Sequence, residues 1–187
     1  MRKTIRFSSA RLGALALLTG VVMAALLVGT AGAAETHNNC ATFDDNGNIV
    51  SVTPNCTQTV FAPVPPMSSP SANPCDPTDT GIFTLVTRQN VFHINVNGAG
   101  DLWITNTQNG TATFDSTSGG ASGQGNWAAW FGGSFNNKNL VLHSTFNVTI
   151  HVANGQTVTS HETAHMMILP SGLPGVTFDK PTFSCGG

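Results

Sequence analysis

The sequence predicts an all-β protein: a single antiparallel β-barrel or β-sandwich domain after a signal peptide, with a small N-terminal disulfide-closed hairpin. Three observations predict it. Short runs rich in β-branched and aromatic residues recur about every ten residues, set apart by Gly, Asn and Pro. Beyond the first 33 residues, no stretch sustains a helical apolar period. Thr, Ser, Asn and Gly supply the polarity, as on exposed strand positions.

Residues 1–33 stand outside the fold. Arg2, Lys3, Arg6 and Arg11 flank an apolar stretch from Leu12 to Val28 that ends in Ala31-Gly32-Ala33. Basic start, apolar centre and small residues at the exit are the order of a secretory signal peptide, cut after Ala33 or Ala34. The stretch approaches the roughly 18–20 residues that span a bilayer, so an uncleaved anchor is the alternative. No later segment is apolar enough to span a membrane, so the mature chain is expected to be secreted and extracellular.

Charge narrows the partners. Four of the seven Lys and Arg residues lie in the leader, leaving Arg88, Lys138 and Lys180 against nine acidic residues, a formal charge of −6. Three scattered cations cannot line a phosphate backbone, which disfavours nucleic acid. All four cysteines fall in the exported part, and an even count in an oxidising compartment predicts disulfides. The preferred pairing is Cys40–Cys56 across a local hairpin and Cys75–Cys185 from the domain's start to its last strand. The cysteines lack paired C-x-x-C spacing, which argues against structural zinc.

Three regions follow. After the signal peptide, residues 34–60 form the N-terminal hairpin, turning at Asp44-Asp45-Asn46-Gly47; Thr42 and Thr53 stand where calcium ligands would be needed. Residues 61–79 read as a Pro-rich linker, with Pro63, Pro65, Pro66, Pro70, Pro74 and Pro77 denying helix and ladder alike. Residues 80–187 form the antiparallel β domain. Strands are expected at Ile82 to Thr87, Val91 to Val96, Leu102 to Asn106 and Thr111 to Asp115, with a hairpin at Asn109-Gly110. Ser118 to Asn126 reads as a Gly/Ser loop and Trp127 to Phe135 as a strand. Val176 to Phe178 and Thr182 to Cys185 close the chain around Pro181.

The clearest alternation runs from Leu140 to Val152. Leu142, Phe146, Val148 and Ile150 point one way, and His143, Asn147 and His151 the other. Ala153-Asn154-Gly155 turns the chain back. A two-residue Asn-Gly turn would drive His161 and His165 onto the apolar face. A three-residue loop with Gly155 left-handed makes the apolar sets coincide, setting Ile150 opposite Val158 and Leu142 opposite Met166. This register puts His143 opposite His165 and Asn147 opposite His161, and leaves Glu162 on the core side.

His161-Glu162-Thr163-Ala164-His165 matches the His-Glu-x-x-His signature of zinc metallopeptidases letter for letter. That chemistry needs a helix, where residues four apart share a face. In a strand they stand about 13 Å apart. A zinc-dependent hydrolase is therefore the alternative reading, and no cofactor is otherwise implied. His143 and His165 as cross-strand neighbours, with His161 nearby, form a candidate metal site. Glu162 with Ser144 and Ser160 forms a candidate polar end of an interior ligand site, since a buried carboxylate needs a partner or loses its charge. Trp103, Trp127 and Trp130 are expected in the core, with sugar-stacking platforms as the alternative.

The residues Trp130-Phe131-Gly132, the Asn136 to Asn139 turn, His143-Ser144-Thr145-Phe146, His161-x-x-x-His165 and Phe178-Asp179-Lys180 before Cys185 carry a resemblance. Over about residues 75–187 the chain resembles a group of small secreted proteins of actinomycetes and related bacteria, for which no activity is established. The resemblance implies a bacterial, exported β-domain. The leading expectation is a non-catalytic domain that binds a small ligand, a glycan or an extracellular partner surface. A structural cell-surface protein is a further alternative.

Overall fold

Every regular element is a strand, in a computed structural model that describes residues 39–43, 49–136, 140–169 and 174–187. The expected signal peptide and the Asp44–Gly47 turn lie outside the described residues. Ten strands run in chain order: β1 (Ala41–Phe43), β2 (Ile49–Val52), β3 (Cys56–Phe61), β4 (Met67–Asn73), β5 (Asp76–Val96), β6 (Leu102–Ser116), β7 (Gly123–Phe135), β8 (Leu140–Val152), β9 (Thr157–Ile168) and β10 (Pro174–Gly186). β1 and β2 form a two-stranded hairpin. The others make one antiparallel sheet in the order β10-β9-β8-β7-β6-β5-β3, with β4 also paired to β5. The ladder is not closed into a barrel, because among the described residues β10 pairs only with β9.

Both expected disulfides are present, Cys40–Cys56 and Cys75–Cys185. The second dictates the shape of the sheet. Cys75 precedes β5 and Cys185 lies in β10, at the opposite end of a six-strand meander. Laid flat at about 4.8 Å per strand, those edges would stand roughly 24 Å apart. Their Cα atoms are 5.8 Å apart. The sheet must therefore roll, in the sense that twisted strands favour, and its concave side becomes an interior.

Four expectations need correction. Residues 61–79 are not a free linker: Met67 to Ala72 pair in register with Leu85 to Thr80. β4 is an outer strand, and Pro70 is tolerated where a missing N–H can face the open side. Likewise β10 runs unbroken through Pro181, which sits opposite Glu162 on the other edge. Asn109-Gly110 is no hairpin, for β6 passes straight through it. Gly110 is there for close approach, since a Cβ would collide with the Val86 carbonyl and lie 2.8 Å from Trp127 Nε1. Finally, the two strands expected over residues 82–96 are one. Thr87 pairs with Gly110 and Gln89 with Asn109, so Arg88 is an extra, exposed residue. This bulge flips the side-chain parity and keeps both halves of β5 facing inward.

The β8–β9 register is the one the alternation predicts. Ile150 meets Val158, Ser144 meets Ala164, Leu142 meets Met166, and Leu140 meets Ile168. Gly155 has φ 90 and closes the three-residue loop, with Gln156 O accepting from Val152 N at 2.8 Å. On the concave side, one apolar cluster of Leu85, Phe114, Trp127, Phe146, Ile150 and Val158 fills the Cys75–Cys185 end. A second, built on Ile94, Val96, Leu102 and Ile104, lies under the N-terminal hairpin through Cys40 and Ala41. Among the described residues no helix is long and apolar enough to cross a membrane.

The two disulfides close chain segments of 110 and 16 residues. By chain entropy, replacing Cys75 and Cys185 with Ser costs about 5 kcal/mol, against about 3 kcal/mol for the Cys40 and Cys56 pair. Urea unfolding of the two double variants measures the order; an equal or reversed loss would mean that the rolled edges are held by something other than this bond.

Candidate functional site

Between the two apolar clusters the inner face turns polar. Parity along β6 brings Asn106 and Gln108 inward, and the β5 bulge brings Asn90 beside them. All three are buried. Asn106 Nδ2 donates to Asn90 Oδ1 at 2.6 Å and to Val91 O at 3.1 Å, Gln108 Nε2 donates to Asn106 Oδ1 at 2.8 Å, and Asn90 Nδ2 donates to Ala62 O at 3.0 Å. On this wall the buried amides have partners, as buried polar groups require.

The opposite wall does not. Glu162 lies on the inner face of β9, opposite Phe146 of β8, and is 6% exposed. Its carboxyl makes no hydrogen bond among the described residues. Burial, and secondarily the charge of Asp179 on neighbouring β10, pushes its pKa up to about 7. Ser160 is buried two residues before it on the same face, and Ser144 is half-buried on β8, diagonal to it. The three residues named from sequence thus share one wall, the two serines each about 7 Å from Glu162 by strand geometry.

Sequence reasoning missed two further groups at this level. Among the described residues, the buried side-chain atoms Thr87 Oγ1 and Trp127 Nε1 have no hydrogen-bond partner. Thr87 and Trp127 flank Gly110 across the ladder, and the missing Cβ lets the indole Nε1 lie close over the glycine. Trp127 also stacks on Phe146, with ring centroids 6.0 Å apart, and Phe146 faces Glu162. The inward parity of Asn106 and Gln108 in an otherwise apolar series was the available signal for this belt. It is the argument that located Glu162, applied to another strand.

The outer face carries the histidines. His161 Nδ1 pairs with Asn147 Oδ1, and His161 Nε2 with Thr163 Oγ1 at 3.1 Å. His143 and His165 face one another with Nδ1 atoms 2.9 Å apart. His161 and His165 lie four residues apart on an extended strand while Glu162 points to the other side. The His-Glu-x-x-His run therefore cannot gather two imidazoles and its carboxylate around one zinc, which needs helical spacing. No group of three His, Cys, Asp or Glu side chains suited to a metal occurs among the described residues. Of the tryptophans only Trp127 is core; Trp103 and Trp130 are each 40% exposed, and the indole of Trp130 lies across Gly132.

Asp79 is a buried carboxylate of a different kind. It accepts from Ser116 Oγ, from Ser118 Oγ at 2.9 Å and from Asn73 Nδ2 at 3.4 Å. These bonds, the Ser116 one foremost, hold its pKa below the usual range against the opposing effect of burial. Asp79 ties β5 to the turn after β6 and needs no ligand. An open depression lined by Asn154, Gln156 and Cys185 adjoins the Cys75–Cys185 bond, about six residues or 20 Å along the chain from Glu162. No family model, curated protein or solved structure matches the chain.

Glu162 makes a pH test. A carboxyl whose folded pKa lies above its unfolded 4.5 stays protonated in the fold while the unfolded chain ionises. Stability is then undiminished below pH 4.5 and falls as pH rises toward 7, by about 2–3 kcal/mol. Urea midpoints between pH 4 and 8 should show this decline in the protein and not in Glu162→Gln. A decline of equal size in the variant would assign it to another group.

Proposed function

We propose that the protein is an exported, non-catalytic binding domain that holds a small polar ligand within the belt between its two apolar clusters. The observation that carries this reading is a set of unmet polar groups on adjacent inward rows of the rolled sheet: the buried atoms Trp127 Nε1 and Thr87 Oγ1, without a partner among the described residues, and one row along the Glu162 carboxyl, which makes no hydrogen bond there. A buried unpaired polar atom costs about 1–3 kcal/mol, and an apolar isostere would remove that cost. Polar groups kept in such positions are best accounted for by a partner that satisfies them. The two disulfides suit an oxidising, extracellular setting, as does the resemblance to exported bacterial proteins. We read the rolled sheet as a barrel left open at its seam, since the edges β10 and β4 share no ladder among the described residues.

The chemistry asked of the ligand is specific. Trp127 Nε1 donates only, whereas Thr87 Oγ1 and Glu162 at neutral pH can donate or accept. A small molecule with clustered hydroxyl, carbonyl or amine groups meets these demands, and a purely apolar one does not. A second reading rests on a separate observation. The indole of Trp130 lies against Gly132 on the outer face and stays partly exposed, an aromatic surface on which a sugar ring can stack.

Native mass spectrometry of protein recovered from the medium tests the first reading. The expected result is a small co-purifying molecule that is absent from Thr87→Val and Glu162→Gln. The Thr87→Val protein should at the same time be more stable than the parent, by about 1 kcal/mol, because an unpaired hydroxyl has been removed. A small molecule retained equally by both variants would place the site elsewhere, with the Trp130 face next to be tested.

A further inference from the structure

The interior belt leaves the outer histidines unexplained. β8 and β9 set His143 directly opposite His165, and the two Nδ1 atoms stand 2.9 Å apart with ring centroids at 4.2 Å and planes tilted by 50°. The other described histidines have different partners. His93 Nδ1 meets Thr59 Oγ1 at 3.0 Å, His151 Nδ1 meets Thr157 Oγ1 at 3.2 Å, and both nitrogens of His161 are engaged. Only this pair, among the described residues, aims two imidazole nitrogens at one point.

We propose that His143 and His165 form an exposed two-imidazole site for a tetragonal transition-metal cation, copper(II) foremost. The separation of the nitrogens selects the geometry. Ligands at about 2.0–2.1 Å from a cation lie about 2.9 Å apart when cis at 90°, and about 3.4 Å apart at the tetrahedral angle. The 2.9 Å between the two Nδ1 atoms is the cis value. A small rotation of each ring turns the lone pairs from one another toward a shared cation. Imidazole is a ligand of borderline cations, and among the described residues no group of three His, Cys, Asp or Glu forms here, so hard cations such as calcium lack the carboxylate cage they require.

The surroundings hold the pair in place. Phe178 of β10 stacks on His165, with centroids 5.4 Å apart and planes within 21°, which restrains the ring from one side. Lys180 Nζ lies 5.5 Å from the Phe178 centroid. Met167 sits two residues beyond His165 on the same face, one row along the ladder and opposite Val141. Its thioether is the next soft donor by position. The protein thus supplies two firm ligands, and solvent or an added donor completes the square.

The probe is copper(II) alone, titrated into the full chain carrying His37→Ala, which removes the sole histidine outside the described residues. Calorimetry is expected to show one equivalent bound, with copper(II) tighter than nickel(II) and zinc(II) as the Irving–Williams order requires. Electron paramagnetic resonance should show splitting from two nitrogens. His143→Ala and the exposed, polar His143→Gln should each weaken binding by about 10- to 100-fold, the scale on which loss of one supporting group acts. His161→Ala should leave it unchanged. Undiminished copper in the His143 variants, an equal loss in His161→Ala, or no saturable binding in the parent each overturns the proposal.

Discussion

The Cys75–Cys185 bond is the constraint on which the rest depends, because it joins the two rims of a sheet that would otherwise lie open. An antiparallel meander is satisfied strand by strand and needs no closure to complete its ladders. Here one covalent link near one end holds β10 against the β4–β5 turn. The concave side becomes an interior, and apolar residues from strands far apart in the order can cluster there. Burial of Glu162 follows from this. On an open sheet its carboxyl would be hydrated and keep its usual pKa.

The same strand pair supplies both candidate sites because a strand has two faces. Along β9, Ser160, Glu162 and Ala164 point inward while His161, Thr163 and His165 point out. A register slip of one residue would exchange them, burying imidazoles and exposing the acid. The Gly155 turn therefore governs chemistry on both sides of the sheet. Inside, the site is defined by unmet hydrogen-bonding demand in a poorly solvated space. Outside, it is defined by two donors brought close in open water, where nothing forces the hydrogen bond between them to be kept.

The seam shows how an unclosed sheet avoids pairing with its neighbours. An open strand edge is a template for another chain, and prolines and charges blunt it. Both rims carry a proline within a paired strand, Pro70 in β4 and Pro181 in β10, with Lys180 beside the latter. These prolines are what made the sequence read as linker and interruption. A proline forbids a central strand but permits an edge, and which of these a segment becomes depends on what lies beyond it. That information is not local.

The sequence by itself determined whatever rests on parity and turn chemistry. It specified the all-β class, the β8–β9 register, the inward acid and the outward histidines, since a period of two and a left-handed glycine are local properties of the chain, and it favoured without deciding the disulfide pairing that the structure shows. Tertiary structure alone decided that Asn109-Gly110 runs straight, that Arg88 bulges, and that the Pro-rich segment pairs. It alone placed Thr87 and Trp127 on either side of Gly110, and closed His143 and His165 to a ligand-bite distance. The physical reason is the same in each case: a strand's pairing partner and the curvature of its sheet arise from residues distant in the chain, which no local pattern encodes.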